Sequence, residues 1–165
     1  YAQIKAVPRW HHWLTPVMFL GFALAGGALL SGNPLAPLAL LAVGLVLLAV
    51  WWVGDGAFAR AGQTIGTATG LDRLGTAAVF DPAHTAGNYL KREMIFVVGR
   101  KHARKLRRIA LMLASLVPAL VLLLPLGVWG IALAALVHRA GALAARWLFF
   151  AEAEHVVGLY YGARG

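Results

Sequence analysis

The sequence contains no cysteine. Disulfides, thiolate zinc sites and cysteine-ligated iron–sulfur clusters are therefore excluded within this chain. Acidic residues are scarce: six Asp and Glu stand against fifteen Lys and Arg, a formal net charge of +9. Polar surface is scarce too, since 61% of the 165 residues are hydrophobic and the mean hydropathy is +0.74. A water-soluble domain of this length has too small an interior to hide so much apolar surface, whereas lipid can cover it. There is no Walker loop, no dinucleotide fingerprint and no catalytic triad pattern. The positive charge flanks apolar stretches with no nucleic-acid motif beside it. It therefore points to cytoplasm and anionic lipid headgroups, with no nucleic acid as partner.

What the sequence does have is four apolar stretches, residues 14–30, 35–53, 109–124 and 128–150. Each approaches the ~20 residues a helix needs to cross a bilayer. Ten of the fifteen basic residues lie in segment 54–108, while connections 31–34 and 125–127 carry no charge. This pattern predicts an all-α integral membrane protein: four transmembrane helices packed as antiparallel hairpins, with a long basic loop containing an amphipathic helix. Residues 1–165 form a single membrane domain in this reading. Fusing residues 109–137 into one span would make a helix of roughly 43 Å against a hydrocarbon core of ~30 Å, so two helices with a tight turn fit better. The positive-inside rule puts the loop and both termini on the cytoplasmic side of a bacterial inner (plasma) membrane.

Local signals refine this picture. Trp10, Trp13, Trp51, Trp52 and Trp147 read as interface anchors on the basic side, with Trp129 at the opposite interface. Gly21, Gly26 and Gly27 with neighbouring alanines suit close helix packing in lipid. Ser31-Gly-Asn-Pro34 is a turn. Segment 54–85 reads as a loop with short helical pieces, 64–70 being its least structured part. From Asn88 to Arg108 there are few helix breakers. Leu90, Met94, Val97 and Val98 share a stripe, as in a helix lying along the interface or extending the third span. No signal-peptide pattern precedes the first span, and the start at Tyr1 suggests a piece or processed end of something longer.

The fourth stretch carries the candidate chemistry. His138 and Arg139 lie halfway along it and Arg146 seven residues further on. Ionisable groups at that depth are costly and usually face the protein interior or a wet cleft. One reading is a proton or quinol-headgroup site; the other is a longer helix, partly outside the membrane, with both arginines snorkelling. Glu152 and His155, three apart, would share a helical face and join His138, Arg139 and Arg146 as proton or quinol candidates. One Glu–His pair is too few ligands for a metal, so a hydrogen bond orienting the helix end is the better reading. Only His138 lies inside a span, so a haem held by two histidines of this chain is not expected. No metal site is expected. Arg100, Lys101, Arg104, Lys105, Arg107 and Arg108 form a basic surface for partner subunits or lipid headgroups.

Several of these runs resemble a known family. Arg146-Trp-Leu-Phe-Phe-Ala-Glu-Ala-Glu-His-Val-Val-Gly-Leu-Tyr-Tyr161 is similar to the C-terminal end of the dimethyl sulfoxide reductase membrane anchor subunits, the DmsC type. So are Asn88-Tyr-Leu-Lys-Arg-Glu-Met94 and Gly99-Arg-Lys-His-Ala-Arg-Lys-Leu-Arg-Arg108. Val7-Pro-Arg-Trp-His-His-Trp-Leu-Thr-Pro16 resembles the start of that family's second half. The resemblance implies the C-terminal half of an eight-helix anchor with no haem of its own. Such an anchor holds a molybdopterin catalytic subunit and an iron–sulfur subunit at the membrane and oxidises menaquinol in anaerobic respiration. The family's menaquinol residues belong to its first half, so none is carried onto this chain.

The expectation is thus a non-catalytic anchor subunit of an oxidoreductase complex. It binds no cofactor itself, with menaquinol possible in the full complex. The alternative is an autonomous small transport or scaffold protein without quinol chemistry. Nearly apolar first, second and third spans count against a transport pore.

Overall fold

The computed structural model describes residues 1–78 and 101–161. Arg100 and most of the expected amphipathic helix at 88–108 lie outside the described residues. Every regular element among the described residues is helical. The long ones are α1 (Leu14–Leu30), α2 (Ala36–Gly54) and, near the C-terminus, α7 (Gly127–Ala151). Among the described residues between α2 and α7 lie two short helices, α3 (Ala57–Arg60) and α4 (Ile65–Thr69), a 3₁₀ turn at Leu71–Arg73, and a third long helical path. That path runs unbroken through α5 (Ala103–Leu111), a π-helical turn (Met112–Leu116) and α6 (Val117–Val121).

The α1–α2 turn follows from its sequence. Gly32 takes a left-handed φ of +65°, which costs a residue without Cβ little. Asn33 donates its backbone N–H to the Ala28 carbonyl and accepts the Leu35 N–H on Oδ1. Pro37 sits in the first turn of α2, where its missing N–H has no intrahelical partner to lose.

The four helical paths close into a bundle. α1 packs on α2, α2 on the π turn and α6, the third path on α7, and α7 back on α1. Leu29, Leu40, Leu47 and Leu148 fill the interior at 1% exposure or less. The outward faces are as oily as the inward ones: Leu24, Leu45, Leu120 and Leu136 are 58–73% exposed. α2 and α7 are long and apolar enough to cross a membrane, with mean hydropathies of 2.4 and 1.5; α1 is a shorter apolar helix of 17 residues.

The third path is longer than the apolar stretch, in line with the reading that the basic helix extends the third span. It starts at Ala103 rather than 109, because the basic run 104–108 is helical and extends the apolar stretch at its N-terminal end. It stops at Val121, and residues 122–126 turn the chain into α7. Segment 64–70, expected to be the least ordered part of its loop, is instead helix α4. Thr64 and Thr67 form a reciprocal capping box, and Gly70 closes the helix in a left-handed conformation. Short polar side chains at N-cap and N3 satisfy the N–H groups a helix start leaves bare.

Candidate functional site

Pro118 dictates the first notable point. A proline has no N–H to offer the carbonyl four residues back, and its ring clashes with that carbonyl. Here the carbonyl is Ala114, inside the π turn. His138 of α7 answers it: its Nδ1 lies 2.7 Å from the Ala114 oxygen, and the residue is 7% exposed. Because a carbonyl only accepts, Nδ1 is the donor in this contact. Nε2 faces Gly26 of α1, where an added Cβ would stand 3.9 Å away, and Phe22 lies 5.7 Å from the imidazole.

Gly141, one turn beyond His138, makes this contact possible. A Cβ there would meet Ala114 N at 2.1 Å and Leu113 C at 2.4 Å, so the backbones of α7 and the π turn touch. Across the bundle, Gly44 of α2 leaves room for buried Ser115, whose Oγ would lie within van der Waals overlap of any Cβ at that position. Small residues at adjoining positions let three helices converge on one turn.

The second feature is a charge cluster at the end of the bundle where α2 and α7 finish and α5 begins. Glu152, the C-cap of α7, is buried, with its side chain 5% exposed. Its carboxylate accepts from Arg9 Nη2 at 2.7 Å and from Arg107 Nε at 2.7 Å. Asp55, the C-cap of α2, accepts from Arg107 at 2.6 and 2.7 Å and from Arg9 at 3.2 Å. Two guanidiniums face two carboxylates, and the cluster ties the N-terminal segment to three helix ends. The hydrogen bonds from Arg107, with the fields of Arg107 and Arg9, hold the Asp55 carboxyl below its ordinary value against the opposing effect of burial. Burial works against the Arg107 charge, yet its bonds to Asp55 and Glu152 more than offset this and raise its pKa.

The third is an aromatic box around Arg146. Its guanidinium lies 4.7 Å from the Phe19 ring, 4.8 Å from Phe150, 5.2 Å from Tyr1 and 5.9 Å from Phe149. Cation–π attraction of this kind is strongest where water is excluded. Beside the box runs an open groove of about 330 Å³ between α1 and α7, walled by Met18, Phe19, Phe22 and Leu143, with Arg139 and Arg146 along it.

The candidates of the sequence analysis therefore separate. His138 is buried on a backbone carbonyl; Arg139 is exposed on the groove; Arg146 sits among aromatics. Glu152 and His155 do not pair. α7 ends at Ala151, so their three-residue spacing is not helical; Glu152 binds arginines, and exposed His155 accepts the Val157 N–H on Nδ1. Arg107 is held inside by Asp55 and Glu152, whereas Lys101, Arg104, Lys105 and Arg108 are exposed. Trp10, read as an interface anchor, stacks on Phe149 at 5.1 Å and donates its indole N–H to the Phe149 carbonyl. Trp51 is buried beneath Arg107, while Trp52 beside it is 82% exposed. Among the described residues no three His, Asp or Glu converge as a metal site would need.

Arg9, Asp55 and Ala114 were not singled out from sequence. A signal for each existed. With six acids in the chain, an Asp closing an apolar span needs a cation nearby, and a proline inside a helix marks the carbonyl four residues before it.

No family model matches this chain, and no solved structure matches it. It is similar to a subunit of the sulfite dehydrogenase of Allochromatium vinosum, 30% identical over 177 aligned residues that take in 98% of this chain and 54% of the relative. The chain thus spans about half the length of the curated relative it matches.

Proposed function

We propose that this chain is a membrane-embedded, non-catalytic subunit of an oxidoreductase complex. In this reading all four helical paths span a bacterial inner membrane, with the charge-cluster end at the cytoplasmic face. The observation that carries the proposal is the oily exterior: Leu24, Leu45, Leu120 and Leu136 project from all four paths of a bundle whose interior is already filled. A helix apolar on every side belongs in a large core or in lipid, and here lipid supplies the rest of the solvent. The similarity to a protein of a sulfite dehydrogenase, and the motifs that resemble dimethyl sulfoxide reductase anchors, both favour an oxidoreductase over a transporter.

The role is to hold a molybdopterin subunit and an iron–sulfur subunit at the membrane and to support electron exchange with a quinone pool, menaquinol being the quinol that the motifs imply. Oxidising sulfite releases two electrons and two protons, so a dehydrogenase partner feeds the pool; a reductase partner draws from menaquinol. Either way the membrane subunit must house a ring-and-tail amphiphile and move protons. The α1–α7 groove has the apolar walls for the first. His138, whose Nε2 has no hydrogen-bond partner among the described residues, is the proton-exchange group of this half, buried between α1 and α7 rather than on the groove wall.

Purification from native membranes in mild detergent, with mass spectrometry of what accompanies the chain, tests the role. Recovery of a molybdopterin subunit and an iron–sulfur subunit is the expected result. Isolation of the chain alone, stable and partnerless, overturns it in favour of an autonomous membrane protein. For the proton role, quinone-linked turnover of the intact complex falls in His138→Gln; unchanged turnover removes His138 from the path.

A further inference from the structure

A second groove, of about 450 Å³, opens between α2 and α5. It is lined by Leu48, Trp51, Arg104, Arg107, Arg108 and Leu111. These residues are layered. Arg104 and Arg108 stand at the end where the bundle's charge cluster lies, Trp51 comes next, and Leu48 and Leu111 lie further along their helices toward the bundle's middle. Residues 104, 108 and 111 fall on one face of the third path, and 48 and 51 on one face of α2.

The cations in this groove are not equivalent. Arg107 spends its guanidinium on Asp55 and Glu152 and covers the Trp51 ring at 5.7 Å. Its cluster is already balanced, two guanidiniums against two carboxylates. Arg104 and Arg108 have no hydrogen bond or ion pair among the described residues, and both are exposed. Two like charges four apart on a helix destabilise it. An anion between them removes that repulsion.

We propose that this groove binds one anionic phospholipid. Its phosphate sits between Arg104 and Arg108, its glycerol region lies against the Trp51 indole, and an acyl chain runs along Leu48 and Leu111. The order of charge, indole and aliphatic side chains reproduces the order of headgroup, interface and tail in a lipid leaflet. An acidic protein surface would match the two arginines but would leave the leucine floor without an occupant. The inference rests on the membrane reading above.

The test is lipid retention by the chain purified from native membranes in mild detergent, read by native mass spectrometry. The wild-type protein is expected to keep one anionic phospholipid. Arg104→Gln with Arg108→Gln is expected to weaken it about thirty-fold, from ~1 kcal/mol per basic residue at a membrane surface. Arg104→Lys with Arg108→Lys keeps the lipid, and Arg139→Gln, on the other groove, leaves retention unchanged. Should the glutamine variant misfold, delipidated wild-type protein serves instead: brominated phosphatidylglycerol quenches its tryptophan fluorescence at lower concentration than brominated phosphatidylcholine, and Trp51→Phe removes that difference. Equal retention by wild type and glutamine variant overturns the proposal. So does displacement of the lipid by millimolar inorganic phosphate, or a glutamine variant that keeps its lipid and loses a protein partner instead. Release of the chain from membranes by alkaline carbonate overturns the membrane reading itself, whereas a carbonate-resistant chain without bound lipid overturns only this site.

Discussion

His138 and Ala114, twenty-four residues apart on different helices, are joined at 2.7 Å through imidazole Nδ1 and a backbone carbonyl. The cause lies in a third residue, Pro118, which deprives Ala114 of its α-register donor. This predicts a thermodynamic cycle. Alone, His138→Ala strands a buried carbonyl and destabilises the bundle by about 1–3 kcal/mol. In a Pro118→Ala background an N–H is present at 118, so His138→Ala costs markedly less. Thermal unfolding of the four proteins in detergent, followed by circular dichroism, measures the coupling. Strict additivity would show that the two sites act separately.

At Gly141 the backbone of α7 meets the backbone of the π turn directly. A methyl group there overlaps Ala114 and Leu113 backbone atoms at 2.1–2.6 Å. Backbone gives way less readily than a side-chain tip, so Gly141→Ala is expected to lose about 1–3 kcal/mol and to push α7 away from the π turn. Gly27 has nothing within 4 Å of an added Cβ, so Gly27→Ala is expected to hold or slightly gain stability. Comparing the two midpoints in one detergent separates a packing effect from a general intolerance of glycine replacement.

Glu152 carries the structural weight of the charge cluster, because it is the buried member. Glu152→Gln leaves Arg9 and Arg107 short of one carboxylate at a largely dry site, with an expected loss of about 3–5 kcal/mol. Asp55→Asn removes a carboxylate that is 54% exposed, where ion pairs contribute about 1 kcal/mol or less. Limited proteolysis reports the local effect: residues 1–13 become cleavable in Glu152→Gln and stay protected in Asp55→Asn. Equal protection in both variants would contradict this ranking.

The cluster also sets an acid limit. The Asp55 carboxyl has a lower pKa folded than its ordinary 3.8. A depressed carboxyl contributes stability that is complete above the unfolded value and is lost as pH falls through the folded one. The wild type should therefore keep its full stability down to pH ~4 and lose below that only the ~1 kcal/mol or less that the half-exposed Asp55 contributes, read as a small fall in the unfolding midpoint. Asp55→Asn should show a smaller acid-side loss, most clearly at low salt. Arg107, its pKa raised, stays charged throughout and adds no alkaline limit within the working range.

Much was legible in the sequence because it depends on local composition. Leu, Val and Ala runs of near-membrane length make helices wherever they lie, and Ser31-Gly-Asn-Pro34 turns between them by its own backbone chemistry. The concentration of Lys and Arg in one segment named the polar end of the bundle. Where local reading failed, a specific competing interaction won. Thr64 and Thr67 capped a helix in a stretch that its Gly, Ala and Thr content marked as loop. Trp10 stacked on Phe149 instead of facing outward.

Taken alone, the sequence determined the helices, the turns joining the first pair and the second, and which end of each path is charged, since all three follow from spacing and composition along the chain. Only the tertiary structure decided partners. That His138 meets a carbonyl rather than another side chain, that Glu152 binds Arg9 and Arg107 rather than His155, and that Arg104 and Arg108 find no partner among the described residues, all depend on how four helices are rotated about their axes. Helices apolar on nearly every side carry little record of that rotation. It was set by small residues such as Gly44 and Gly141, where backbone meets neighbouring helix, and by the single proline whose missing N–H had to be answered from across the bundle.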